Sequence, residues 1–142
     1  MASGILITAI SSGSGKTAAA CALMAAYQAQ NKKVSSCKCG PDYIDPMFHK
    51  EVLGVDSKNL HLFFSSEDEL RKEYAKHAAD AELVITEGVM GYYDGMRLDS
   101  VTASSYDVAR TLDIPAVLIL PCKGAALSLC AVVSGIVSFQ KD

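Results

Sequence analysis

The sequence predicts an α/β fold, a doubly wound and mostly parallel sheet, and three observations carry that prediction. The chain opens as an apolar strand, a glycine-rich loop and an alanine-rich helix. Its later strand candidates are apolar on both faces, and helix candidates separate them. Strands of that kind need helices over each face of the sheet, and the right-handed crossover rule then winds the chain both ways from its first strand.

Residues 4–10 form an apolar, β-branched run that ends in SSGSGK. Residues 17–30 are rich in Ala and other strong helix formers, with Asn31 placed to end the helix. Residues 33–39 read as a second strand, followed by the turn-rich loop GPDYIDP. In that loop Asp45-Pro46 has the form of an N-cap followed by Pro at the first helical position, which predicts a short helix to about Leu53. Ser66 with Glu69 three residues on makes a capping box, opening a helix to about Ala79. A buried strand at residues 83–86, a helix at 103–112, an all-apolar strand at 116–120 and a last helix at about 125–139 complete the pattern. The chain stops soon after that helix with no strand to follow it, so the expectation is a fragment of a longer protein.

With 142 residues, half hydrophobic and a fifth charged, the chain is expected to form one globular domain over residues 1–142. A net charge of −3 without a basic run gives no footprint for nucleic acid. The apolar stretches 116–120 and 125–137 are broken by Pro, Lys, Ser and Gly. They fall short of the roughly 18 uninterrupted apolar residues of a spanning helix, so no membrane partner is expected. The start MASGILITA lacks a charged n-region, and the five cysteines are odd in number. Both features favour a cytoplasmic chain with reduced thiols. Cys37 and Cys39 share a face of their strand with His49 nearby, but without C-x₂-C spacing they read as small buried hydrophobes before a metal site.

SSGSGKT nearly matches the phosphate-loop pattern G-x-x-x-x-G-K-[ST], failing only at Ile10, where the first Gly belongs. Its setting between an apolar strand and a helix separates it from a chance Gly/Ser turn. Ser12, Gly13, Ser14 and Gly15 let backbone N–H groups and the helix N-terminus face phosphate oxygens. Lys16 is placed to reach the β- and γ-phosphates, and Thr17 to offer its hydroxyl to Mg²⁺. The loop by itself holds ATP or GTP equally well.

Two acidic loops follow predicted strands, at the sheet end where ligands bind in such folds. KCGPDYIDPMFH carries Lys38, Asp42 and Asp45; TEGVMGYYDG carries Glu87 at its strand end and Asp94. Oxygen donors of this kind, with Thr17, suit Mg²⁺, and Glu87 stands where a Walker-B acid is expected. Asp94 is placed to contact substrate or orient a phosphoryl acceptor. A single loop Asp is usually a turn former or cap, but four acids on two loops beside a phosphate loop favour a working cluster. Tyr92-Tyr93 offers rings to a planar ligand or to solvent, and Ser104-Ser105 reads mainly as a helix cap. His61 and His77 have no evident partner.

Together ILITAISSGSGKT, KCGPDYIDPMFH, EGVMGYYDG and ASSYDVARTLDIPAVLIL resemble the N-terminal synthetase domain of the cobyrinic acid a,c-diamide synthase family, a dethiobiotin-synthetase-like P-loop NTPase fold, over nearly the whole chain. The resemblance implies an ATP- and Mg²⁺-dependent amidoligase of cobalamin biosynthesis. Such an enzyme phosphorylates the a and c side-chain carboxylates of a tetrapyrrole, and ammonia then displaces the phosphate. It also implies that Lys38 faces the reacting phosphate and carboxylate, that Asp42, Asp45 and Glu87 serve Mg²⁺ or catalysis, and that Asp94 serves substrate activation. In the family, ammonia comes from glutamine through a glutaminase domain missing here, and a homodimer is a further partner reading. Ile10 stands where the family often has Pro, and Pro121 where relatives are often acidic. The rivals are synthases acting on nickel-sirohydrochlorin or hydrogenobyrinic acid, a dethiobiotin-synthetase-like carboxylase, and a partitioning-type regulatory ATPase. The last carries an extra Lys in K-G-G-x-G-K, where this chain has Ser11.

Overall fold

A computed structural model describes residues 3–140. Strands and helices alternate in order: β1 (Ser3–Ala9), α1 (Lys16–Gln28), β2 (Val34–Cys39), α2 (Ile44–Leu53), β3 (Ser57–Leu60), α3 (Glu67–His77), β4 (Leu83–Glu87), α4 (Ser105–Leu112), β5 (Ala116–Ile119) and α5 (Ser128–Phe139). The five strands form one parallel sheet in the order β3-β2-β4-β1-β5. This is the doubly wound α/β class that the sequence predicts.

Period-two alternation divides the core between the two faces of the sheet. Ile7, Leu83 and Ile85 pack with Ala20 and Met24 of α1 and with Val55. Leu6, Cys37, Cys39 and Val84 pack on the other face with Leu70 of α3 and with Val108 and Ala109 of α4. Glu87 pairs in register with Ile7 on one side and Lys38 on the other. Directly paired residues share a face, so Lys38 and Glu87 both point towards α1 and α2.

Most predicted elements stand within two residues, and the differences have local causes. Asn31 does end the first helix, with φ of 58° in the left-handed region. The capping box is present: Ser66 Oγ accepts from the Glu69 N–H while the Glu69 carboxylate accepts from the Ser66 N–H. Ser104 caps α4, accepting from the Asp107 N–H, so that helix starts two residues later than predicted. Strand β3 was not predicted; SKNL has no apolar alternation, and its pairing with β2 overrides weak local propensity. The α2 cap is a correction. The helix begins at Ile44 after Tyr43, Asp45 lies in its first turn, and Asp42 Oδ1 accepts from the N–H groups of Ile44 and Asp45. Asp42 thus does the capping assigned to Asp45, whose carboxylate is left free for other partners.

The far edge departs from expectation. β5 is half-exposed despite its apolar sequence, and α5 has no buried residue. The helix meets the rest of the chain through Tyr93, whose hydroxyl donates to the Ile136 carbonyl at 2.7 Å and whose ring lies 4.9 Å from that of Phe139. No described helix is long and apolar enough to cross a membrane.

Candidate functional site

β1 delivers the chain into the loop of residues 10–15, where Gly13 and Gly15 adopt φ of 73° and 92°. These are left-handed values that favour glycine, and a Cβ at either position would meet nothing within 4 Å. The loop therefore wraps an open cradle. Gly15 caps α1 without any side-chain cap, so the first-turn N–H groups are left to face the cradle. Ser12 lines the cavity, while Ser14 turns its hydroxyl back to the Ser11 carbonyl at 3.0 Å and shapes the loop.

Lys16 is only 8% exposed, and its ammonium donates to the carbonyls of Ser11 at 2.9 Å and Met90 at 2.8 Å. Burial, with the nearby Lys38 charge, holds its pKa below the usual lysine value. Lys38 is 4% exposed. Its Nζ lies 2.6 Å from Asp45 Oδ2, 2.9 Å from Glu87 Oε1 and 3.7 Å from Asp42 Oδ2. Burial pulls this ammonium's pKa down, but the hydrogen bonds to Asp45 and Glu87 outweigh it and hold the lysine charged. Burial likewise favours neutral Asp42, and the Ile44 and Asp45 N–H groups together with Lys38 reverse that, keeping the carboxylate ionised. Thr17 donates its hydroxyl to Glu87 Oε1 at 2.5 Å.

The cavity between these groups measures about 460 Å³ and is lined by Gly13, Gly15, Lys16, Thr17, Lys38, Asp42 and Glu87 among others. The structure thus unites the phosphate loop with both acidic loops. Asp45 stands behind Lys38, held to it by a short ion pair. Asp94 stands apart. One of its oxygens accepts from the Gly91 N–H at 2.9 Å, and it lines a second cavity of about 790 Å³ with Tyr93 and Arg97. Met90 is common to both cavities. Gly88 and Gly91 allow this packing, since a Cβ would come within 2.7 Å of Ser105 Oγ at Gly88 and of the Ile10 carbonyl oxygen at Gly91.

Whether the set fits Mg²⁺ can be tested on its donors. Thr17 and Glu87 place a hydroxyl and a carboxylate side by side at the cradle, both hard oxygen ligands. Among the described residues no three His, Cys, Asp or Glu side chains form a cation cage. The set therefore fits an ion that takes most of its ligands from phosphate and water, while Asp45 holds Lys38 through Oδ2.

Of the sequence expectations, that for Cys37 and Cys39 as small buried hydrophobes holds, and two others change. His49 lies against Ser36 on the α1–α2 side, whereas Cys37 and Cys39 pack on the other face, so the three do not converge on a metal. Burial raises both thiol pKa values, that of Cys39 to about 12. His77 has a partner, the Ser36 carbonyl at 2.9 Å, and His61 packs edge-on to Phe64. Tyr92 and Tyr93 pack with Tyr106, the ring centroids within 5.7 Å, which leaves Tyr93 the one lining the second cavity. What the sequence did not disclose is the place of His49, weighed there only beside the cysteines: it is fully buried with Nε2 3.7 Å from Glu87 Oε2. Its i,i+4 spacing from Asp45, which puts both on one helix face, was the available signal.

Residues 5–130 match the family described as the CobQ/CobB/MinD/ParA nucleotide binding domain. The chain is 40% identical over 136 residues to a cobyrinate a,c-diamide synthase of Synechococcus sp., and 39% identical over 137 residues to one of Clostridium tetani. Each alignment covers 96% of this chain but 30% of the relative, so the chain spans about three tenths of the length of the curated relatives it matches. Among solved structures, the signal recognition particle receptor FtsY from Elizabethkingia anophelis superposes with a TM-score of 0.69. That match covers 99% of this chain and 48% of the receptor at 15% identity, a likeness of fold alone.

Proposed function

The chain belongs to the CobQ/CobB/MinD/ParA nucleotide-binding family, and from that premise we propose that residues 1–142 are an ATP- and Mg²⁺-dependent synthetase domain that activates the a and c side-chain carboxylates of cobyrinic acid for amidation. The observation that carries the reading is the Lys38 ammonium, 4% exposed and held by Asp45 and Glu87 beside the phosphate loop. A phosphate loop alone does not call for a second buried cation on another strand. A carboxylate that must approach a triphosphate does, because two anions repel each other in a poorly solvated site.

In this mechanism Lys16, the loop amides and the first turn of α1 bind the β- and γ-phosphates, Lys16 leaving the carbonyls of Ser11 and Met90. Thr17 and Glu87 would hold Mg²⁺, which would supply positive charge to the phosphates. Lys38, aimed by Asp45, offsets the charge of the entering carboxylate, and Asp42 at the cavity wall limits where it can lie. A carboxylate oxygen bonds to the γ-phosphorus as the bridging oxygen leaves with ADP. Ammonia then attacks the acyl carbon, phosphate departs with the C–O bonding pair, and nitrogen gives up a proton. Asp94, on the neighbouring cavity, contacts the substrate. The ammonia is drawn from glutamine by a separate glutaminase domain, and the reaction takes place in the cytoplasm. Among the rivals, the regulatory ATPase is disfavoured because Ser11 offers the loop no second ammonium.

Calorimetric titration with Mg-ATP, for the natural chain and Lys16→Ala, with and without cobyrinic acid, tests this reading. Binding that depends on Lys16 and tightens with cobyrinic acid is the expected result. No binding by the natural chain would remove the nucleotide assignment for this domain. ATP binding that ignores cobyrinic acid but responds to nickel-sirohydrochlorin would move the substrate to that ring.

A further inference from the structure

Glu87 divides its carboxylate unequally. Oε1 accepts from Lys38 at 2.9 Å and from Thr17 at 2.5 Å, whereas Oε2 is buried with no hydrogen-bond partner among the described residues. A carboxylate held at one oxygen can swing about its terminal torsion, which is broad and soft. Any swing moves Oε1 off both groups that face the cradle.

The second buried atom without a partner lies next to it. His49 Nε2 also lacks a hydrogen bond, and it stands 3.7 Å from Glu87 Oε2. That gap is too small for a bridging water, and a small rotation of either side chain closes it. The other ring nitrogen has partners that suit the tautomer this contact requires. Nδ1 lies 3.1 Å from Ser36 Oγ and 3.4 Å from Ser57 Oγ, two hydroxyls that can donate to it. With Nδ1 accepting, the ring proton is on Nε2 and points at Glu87. Both serines come from strands paired in register, Ser36 of β2 with Ser57 of β3, so the ring is held by the sheet itself.

We propose that His49 is a positioning residue: its Nε2–H holds Glu87 Oε2, so that Oε1 stays presented to Thr17, Lys38 and the cation. This rests on the Mg²⁺ reading above only for its consequence, since the hydrogen bond stands or falls without metal. Outer partners that orient a metal-binding carboxylate typically change affinity tenfold to a hundredfold when removed.

The test uses this chain in two measurements. First, ¹⁵N spectra of the histidine rings in the metal- and nucleotide-free chain, with His49 assigned by its loss in His49→Gln, report the tautomer. The expected form is neutral and protonated on Nε2, with a ring signal that shifts in Glu87→Gln. A proton on Nδ1 would overturn the proposal. Second, Mg²⁺ is titrated against a fluorescent ADP analogue for the natural chain, His49→Leu and His49→Gln. His49→Leu should need about tenfold more Mg²⁺, with analogue binding in EDTA unchanged. His49→Gln, which keeps an N–H near the Nε2 position, should stay within about threefold, in line with a retained hydrogen bond. Equal behaviour of the two variants, whether both like the natural chain or both impaired in EDTA as well, would reduce His49 to a packing residue. Analogue binding indifferent to Mg²⁺ in the natural chain would sink the metal reading of the function, while the ring spectra still decide the hydrogen bond.

Discussion

The carboxyl ends of β2 and β4 and the edge formed by β5 and α5 invert the usual rule in opposite directions. At the first, ionisable side chains are buried: Lys38 is 4% exposed, and Glu87 and His49 are 0% exposed. At the second, apolar ones are in solvent: Val117 is 43% exposed, Val137 71% and Phe139 64%. Burying a charge requires specific partners at hydrogen-bond distance, and here Asp45, Glu87 and Thr17 supply them from the same chain. Exposing an apolar side chain requires nothing. A buried polar cluster is therefore self-specified, whereas an apolar stretch states only that it prefers cover.

The sharpest way to break that contrast is to remove one charge from the buried cluster. Lys38→Met leaves Asp45 and Glu87 facing each other without their cation, and should cost about 3–5 kcal/mol by urea unfolding. Adding Glu87→Gln to it should restore part of the loss. A cost below about 1 kcal/mol would mean that the cluster behaves as a solvated surface pair, and the contrast would collapse. Next in size is Lys16→Ala. It removes charge-assisted hydrogen bonds to phosphate worth roughly 1.5–3 kcal/mol, so nucleotide affinity should fall about tenfold to 150-fold. Folding should hardly change, because Lys16 donates only to the loop carbonyls of Ser11 and Met90.

The same contrast explains what could be read from the sequence. The strand–helix alternation, the capping box and the phosphate loop were legible because each is a local rule written in adjacent residues. The union of Lys38 with Glu87 was legible only as two strand-end loops; the register that sets them side by side is a tertiary fact. Asp45 was misread as a cap because Asp-Pro is a strong local signal, and the Asp42 carboxylate three residues earlier takes that role instead. The place of His49 was not legible because Ser36, Ser57 and Glu87 reach it from β2, β3 and β4 through the fold. β5 and α5 were legible as elements, but their apolar patterns gave no information about what they pack against.

Tyr74, on α3 with its hydroxyl beside Gly4 of β1, sharpens the comparison from outside both regions. Its hydroxyl is buried without a hydrogen-bond partner among the described residues, and burial raises its pKa from 10.0 to about 12. A group with a raised folded pKa gives stability that is complete below its unfolded value and is lost as pH climbs through the folded one. The natural chain should therefore lose stability between pH 10 and about 12 more steeply than Tyr74→Phe. Thermal unfolding across that range checks this, and parallel curves would show that solvent reaches the hydroxyl.

The smallest effect belongs to the edge. Val137→Ser changes an apolar side chain that is already 71% exposed on a helix with no buried residue. Surface changes of this kind usually fall within about 0.5 kcal/mol, so the melting temperature should barely move. Tyr93→Phe, which removes the hydroxyl donating to Ile136, should cost somewhat more and act through the attachment of α5. Should Val137→Ser instead cost above about 1.5 kcal/mol, more than an exposed valine accounts for, the helix must be covered in solution. Repeating the melt at tenfold lower protein concentration then identifies the cover. A midpoint that falls on dilution means a second copy of the chain, and an unchanged midpoint means that α5 folds back onto its own sheet.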